Sequence, residues 1–567
     1  MEFSQELKKK VLETFVTSAE DNIYALRCSI PNELLGAFSP YFIPEEVWGA
    51  FSSYFSRNPK DFRENLWDAI TGQIEDYKTD INEESLLWLA NKEFRQPYEA
   101  LQKGLAKAQE FYKRWYGRYS HKSIANTVWI PMVATNVSQL FAKELAYDQL
   151  AFFIEQSTRF VKFDAKNVYL DEDVMASRHA DVCRNALGVM EECYNKLTDE
   201  AIEYYKKQIP FENWLTNQPD SVMKQDEKSR MIKYDREIRG KALDISRFLL
   251  PQAVKTNIAW VLDARSTEYD IAAWLGHPLK EIKEVANLIK KHAGQIVPSL
   301  LKYTDANPHY ADKLNDYYGD LMASQAIAFE NGAEVIAYHN NSLEMAIAHI
   351  MHRHNIGGGF KQRFEEVMQM GFDSKMDLLR RITSSRGKHD EWVEMDEEFD
   401  MVKLTLEIRS DIGAIRDWRR HQKWDRSEPI YSLDNGYHKP DIIKDIGKNA
   451  SEIFDNAINT AYDAERRLRQ QFRHQHQYIV PMAANHSIVM SSGLDQLQYM
   501  LWTRSTAEGN FSYRYDAFNL AEAAVRAMPW LLGYERYPKG KSFLEVYKNA
   551  PLKNLLRLDT RETGLHQ

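Results

Sequence analysis

Cysteine is scarce in this chain: three residues in 567, Cys28, Cys183 and Cys193. They are too few and too scattered for a disulfide framework or a cysteine-rich zinc site, and they fit a reduced cytoplasm. Long apolar runs are missing too. No stretch of about 18 apolar residues occurs, and the opening MEFSQELKKKVLETF carries charges where a signal peptide needs an apolar core, so a soluble intracellular protein is expected. Nor is there an excess of one charge: 73 basic residues stand against 82 acidic ones, net −9. No global field then favours nucleic acid or an anionic membrane, and a phosphorylated ligand would need a local arginine cluster.

Metal and phosphate-loop patterns are also wanting. His349, His352 and His354 sit on a helical pattern with no carboxylate at zinc-like spacing, so no metal site is expected. Gly357-Gly358-Gly359 follows that pattern and reads as a helix stop. In GYERYPKGKS, Gly533 and Gly540 lie too far apart for a phosphate-binding loop, and no apolar strand leads into them.

What is present is a repeated unit. The length predicts two or more domains, and 44% hydrophobic residues suffice for their cores. Val402, Leu404, Leu406 and Ile408 alternate with polar residues, the period of a half-buried strand. Ser410 or Asp411 can then cap a helix carrying Ile412 and Ile415. Earlier, Thr127–Ile130 is a β-rich run, Thr135 or Asn136 is the expected cap, and Val137, Leu140, Phe141 and Leu145 follow at helical spacing. The order strand, cap, helix, charged motif thus occurs twice. Residues 1–115 read as mostly helical, and 171–245 as a polar insertion of solvated helices.

The two charged motifs are complementary. Residues 411–428, DIGAIRDWRRHQKWDRSE, and 136–160, NVSQLFAKELAYDQLAFFIEQSTRF, each resemble half of RHRxxSxNExSxRY, the signature of the flavin-dependent thymidylate synthase (ThyX) family. The later stretch keeps the front, with Arg420, His421 and Gln422, and also Glu428. The earlier one has Tyr147-Asp148-Gln149 at the front but keeps the tail in Glu155, Gln156, Ser157, Thr158, Arg159 and Phe160. Two more blocks extend the resemblance. YGRYSHKS at 116–123 is similar to the family's GHES-type segment, with His121 and Ser123 at its flavin-contacting positions. SRFLLPQAVKTNIAWVLDARS at 246–266 resembles RxxLPxxxxTxxxWxxNARS, with Arg247 at a dUMP position and Asp263 and Arg265 at flavin positions. Its counterpart at 477–504 has Gln477, Gly493 and Asp495 at those three positions but keeps the final arginine, Arg504, where the first copy has Trp274.

The resemblance implies an α/β (α+β) fold of two lobes, each a mixed sheet packed with helices. It divides into a first repeat over 1–315, with an N-terminal helical region and the 171–245 insertion, and a second over 316–567. It implies reductive methylation of dUMP to dTMP, with FAD, NADPH as reductant and methylenetetrahydrofolate as carbon donor, at one composite site built from both repeats. The dUMP contacts implied are Glu155, Gln156, Ser157, Thr158, Arg159, Arg247, Asp417, Arg420 and Arg504. Arg504 is the implied catalytic cation. The FAD contacts implied are His121, Ser123, Glu155, Asp263, Arg265, Arg420, His421 and Gln422. A cytoplasmic homodimer of tandem chains would follow, with neither nucleic acid nor membrane as partner. Departures from the pattern keep alternatives open. Asp417 stands where the family has glutamine and Gln422 where it has arginine, so another pyrimidine nucleotide, or a silent nucleotide-binding homologue, remains an alternative.

Overall fold

The computed structural model describes residues 4–25, 60, 61, 63, 64, 67, 68, 125, 126, 128–164, 166–307, 329–354, 357–383, 397–506, 509–533 and 546–548. The chain divides into two compact units. The first comprises Met1–Cys183, Gln252–Gln325 and Leu468–Tyr478, and the second Arg184–Pro251, Ala326–Arg467 and Ile479–Gln567. The units therefore do not follow chain order. A long piece from the first half of the sequence belongs to the second unit, and a short piece from the second half belongs to the first.

Each unit holds a four-stranded sheet of the same topology. In the first, β1 (Ile23–Ala25), β2 (Trp129–Ser138), β3 (Phe152–Glu155) and β4 (Lys255–Asp263) lie in the order β1-β2-β4-β3. In the second, β5 (Gly332–Tyr338), β6 (Lys403–Asp411), β7 (Asp425–Ser427) and β8 (Asn485–Gly493) lie in the order β5-β6-β8-β7. The two α+β lobes are as expected. Every ladder between these strands is antiparallel, where the sequence reading had a mixed sheet.

Alternation drives the second sheet. Leu404, Leu406 and Ile408 of β6 are buried and pack with Ile488 and Met490 of β8 and with Trp418, Leu497 and Phe518 from the covering helices. Asp411 caps the helix Ile412–Trp418, accepting from the Ala414 N–H at 2.9 Å. In the first unit the cap is Ser138 instead of Thr135 or Asn136. The reason is a register shift in β2 between Ala134 and Val137, where Asn136 takes φ +57° and gives its N–H to the Asn257 side chain at 3.0 Å. That bulge carries the strand onward to Ser138, whose hydroxyl then receives the Phe141 N–H.

Residues 171–245 are helical as expected, chiefly in Ala180–Gln208 and Glu227–Ser246. They are more than solvated, since Met190, Tyr194, Leu197, Ala201 and Tyr205 form a buried stripe. Ser342–His354 is a helix, and Gly357 and Gly358 a few residues beyond it have positive φ. No helix among the described residues is long and apolar enough to cross a membrane, and no group of three or more potential metal ligands occurs among them.

Candidate functional site

In the second unit, three chain segments converge on the start of the helix Ile412–Trp418. The Ile412 and Gly413 N–H groups donate to the Ala484 and Met482 carbonyls at 3.0 and 3.1 Å. The Met482 and Ala483 N–H groups donate in turn to the carbonyls of Leu250 and Phe248 at 2.9 and 2.8 Å. This relay fixes the turn that begins at Arg247, a first-repeat residue, against the charged helix of the second repeat. The Arg247 guanidinium is 2% exposed, with Nη1 3.8 Å from the Asp417 carboxylate. Its Nε and Nη2, the edge suited to bidentate anion binding, have no hydrogen-bond partner among the described residues. A Cβ on Gly413 would stand 3.0 Å from Asp411 Oδ1, a tight approach, and 3.5 Å from Nη2, an ordinary contact, so the glycine makes room chiefly for the Asp411 carboxylate.

Asp411 anchors this corner. Its buried carboxylate caps the helix and accepts from His438 Nδ1 at 3.0 Å and from the Ser512 hydroxyl. Burial alone would raise its pKa, but the hydrogen bonds from His438 and Ser512 and the nearby Arg247 hold it below the usual value. The first unit has the same device with roles exchanged: the Ser138 cap donates its hydroxyl to Glu281 at 2.5 Å, and Glu281 also accepts from the Tyr478 hydroxyl at 2.8 Å. Sequence reading missed both networks. Two caps at equivalent places in the repeats were the signal that could have found them.

Beyond the helix come the motif residues. Arg504 Nε donates to His421 Nε2 at 2.9 Å, and its guanidinium lies 5.4 Å from the Tyr513 ring centre. His421 is packed between Trp418 and Tyr499, with ring centres 6.3 and 6.1 Å away. Burial, and then the charge of Arg504, push its pKa well below the ordinary histidine value, so the imidazole is neutral and accepts through Nε2. Burial likewise lowers the pKa of Arg504, partly opposed by Asp417. Asp417 also lies 3.6 Å from Arg420, whose side chain is 40% exposed. Gln422 is half-buried beside them in sequence. Glu428, matched to the family motif, is bound to the neighbouring Arg419 at 2.6 and 2.5 Å. There it holds the loop after the helix.

The remaining expected residues belong to the first unit. Glu155 ends β3 opposite Ile258 and is buried. Gln156 and Thr158 are buried; the Gln156 N–H donates to the Asn257 carbonyl at 2.9 Å, and the Ser157 hydroxyl accepts from the Arg159 N–H at 3.3 Å. The Arg159 guanidinium lies 5.8 Å from the Phe160 ring centre. Asp263 caps the helix Ala264–Leu275, accepting from the Arg265 and Ser266 N–H groups at 3.0 and 3.1 Å, while Arg265 itself is exposed. His121 and Ser123 lie outside the described residues.

This duplicated lobe with complementary charged motifs defines a tandem protein of the thymidylate synthase type. A family model described as "Thymidylate synthase complementing protein" matches residues 77–299 and 334–530, and the chain belongs to that family. It is a family of enzymes acting on nucleotides, generally FAD-dependent. Curated relatives include a UPF0159 protein of Thermoplasma acidophilum, 22% identical over 81% of this chain and 95% of its own length. Another, from Chlamydia pneumoniae, is 23% identical over 95% of each chain. Among solved structures, a UMP/dUMP methylase from Streptomyces cacaoi bound with 5-Br dUMP is matched over 36% of this chain and 93% of its own, at 15% identity and a TM-score of 0.26.

The residues fit a flavin unequally. Arg265 in the first unit and Arg420 in the second are each exposed cations of the kind that binds phosphate oxygens. At Gly493 and Asp495, the second-repeat counterparts of Asp263 and Arg265, a Cβ on the glycine would stand 2.9 Å from the Asp400 Cα. That corner is already filled.

Proposed function

We propose that the chain is a flavin-dependent thymidylate synthase-like enzyme that methylates dUMP to dTMP at one competent site drawing on both repeats. The observation that carries this reading is Arg504, half-buried and hydrogen-bonded to a neutral His421, in the same unit as Arg247 and Arg420. C5 of a uracil attacks a one-carbon unit only when the ring is electron-rich. A half-buried guanidinium beside the ring carbonyl and nitrogen would stabilise the anion that develops. His421, neutral and accepting, orients that guanidinium without adding a competing charge. The unpartnered edge of Arg247 suits a phosphate oxygen pair, and Arg420 adds a second cation. Glu155, Gln156, Ser157, Thr158 and Arg159 of the first unit are proposed as nucleotide-binding residues from the family resemblance alone. FAD, when bound, would supply the hydride, with NADPH reducing it and methylenetetrahydrofolate giving the carbon. Glu155, Asp263 and Arg265 of the first unit and Arg420, His421 and Gln422 of the second are the residues that the family resemblance proposes for flavin binding. The protein would act in the cytoplasm as a dimer of tandem chains, which light scattering can test.

The test is a visible spectrum of the protein after incubation with FAD and gel filtration, repeated anaerobically with NADPH, with and without dUMP. Retained flavin that bleaches faster with dUMP, followed by dTMP formation, supports the reading. Protein that retains no flavin under any condition overturns it in favour of a silent nucleotide-binding homologue.

Asp417 favours a second reading, in which the flavin chemistry serves another pyrimidine nucleotide. Thermal protection measured with dUMP, dCMP and UMP separates the two, and a response to dUMP alone removes the second.

A further inference from the structure

We propose that Asp417 is the internal counter-anion of the arginine set in the second unit, weakening anion binding there in exchange for a stable ligand-free site. This rests on the reading of that set as an anion site. Asp417 is 6% exposed and within 3.8 Å of Arg247 and 3.6 Å of Arg420, and its charge also acts on Arg504 and His421. Three guanidinium groups, Arg247 buried, Arg504 half-buried and Arg420 exposed, repel one another, and the first two lose solvation. His421 cannot relieve them, since it is held neutral. Asp411, the other carboxylate near Arg247, is already engaged by the helix cap, His438 and Ser512. Asp417 is thus the carboxylate shared among the arginines themselves.

Its placement leaves one edge of Arg247 without a hydrogen-bond partner among the described residues. It faces Arg247 through Nη1, so the Nε and Nη2 edge stays available for a bidentate anion. An incoming phosphate therefore gains the fork but meets the Asp417 charge a few ångströms away. Binding is weaker than three arginines alone would give. Removing that charge should have two effects of opposite sign: tighter anion binding and lower stability of the empty protein. A purely structural carboxylate would lower stability without tightening phosphate binding. A direct ligand contact would loosen it.

The experiment titrates inorganic phosphate into the full chain and into Asp417→Asn and Asp417→Glu, followed by calorimetry and by thermal unfolding. Asp417→Asn is expected to bind phosphate about tenfold tighter, the order expected for one removed like charge at this distance. It should also melt lower without phosphate and recover more with it. Asp417→Glu keeps the charge, and its phosphate affinity should stay within about twofold of the parent. Phosphate affinity unchanged or reduced in Asp417→Asn overturns the inference while leaving the anion site standing, as does a tenfold gain in Asp417→Glu should the asparagine variant not fold. No phosphate binding by any of the three overturns the anion site as well.

Discussion

Arg504 Nε donates to His421 Nε2 at 2.9 Å, and this bond makes the arginine's position and the histidine's protonation state one property. A protonated imidazole has no lone pair to offer the guanidinium, so the pair holds only while His421 is neutral. Its depressed pKa secures that at physiological pH.

Replacing Arg504 with alanine is therefore expected to act twice. Turnover should fall by about 100-fold or more, the usual cost of losing a preorganised charge contact. The His421 pKa, freed of one neighbouring cation, should rise, and imidazole NMR titration would read it. Unchanged turnover with a folded protein would remove Arg504 from the chemistry.

Asp411 is expected to matter for stability more than its small size implies. Asp411→Ala removes the cap and leaves His438 and Ser512 without their shared acceptor, a loss of about 3 kcal/mol by denaturant unfolding. Glu281→Ala in the first unit should cost a similar ~3 kcal/mol, because it strands the Ser138 and Tyr478 hydroxyls.

Acid should weaken the first unit through His474. Burial, then the charges of Arg473, His277 and His476, bring its pKa down to about 4. An unfolded histidine titrates near ~6.5. A depressed histidine is fully stabilising above the unfolded value, and that contribution is lost as pH falls from about 6.5 towards 4. His474→Gln should flatten this limb of a stability-against-pH curve.

The second unit should show the opposite slope through Asp495. Burial and a hydrogen bond with Asp400 push its pKa up to about 7. The folded state holds that proton more tightly, so the contribution is complete below the unfolded value and lost as pH rises towards 7. Asp495→Asn should remove the loss, and unfolding midpoints at pH 5 and 8 would show a smaller difference than in the parent.

Gly493→Ala probes the filled corner. The added Cβ would stand 2.9 Å from the Asp400 Cα and against Asp495, so about 2 kcal/mol of destabilisation is expected from overpacking. A neutral result would mean that the corner yields, and that the second repeat retains room for the flavin-facing side chain it lacks.

Local pattern settled a good deal of this molecule. The alternation over 402–408 gave β6, Asp411 announced the helix that follows, and the paired charged motifs declared a duplicated chain. Such features depend on neighbours a few residues apart, whose periodicity and side-chain chemistry act wherever the chain ends up.

Three things only the tertiary structure decided. The Ser138 cap depends on a bulge held by Asn257, more than a hundred residues away in the chain. The burial of one face of Ala180–Gln208, and the membership of 184–251 in the second unit, rest on which surfaces meet, and helical polarity alone does not specify a partner. The motif's charges find partners inside the protein: Glu428 is bound to Arg419, and Asp417 stands among three arginines. A charge's role is set by its distance from other charges and from water, and those distances exist only in the folded chain.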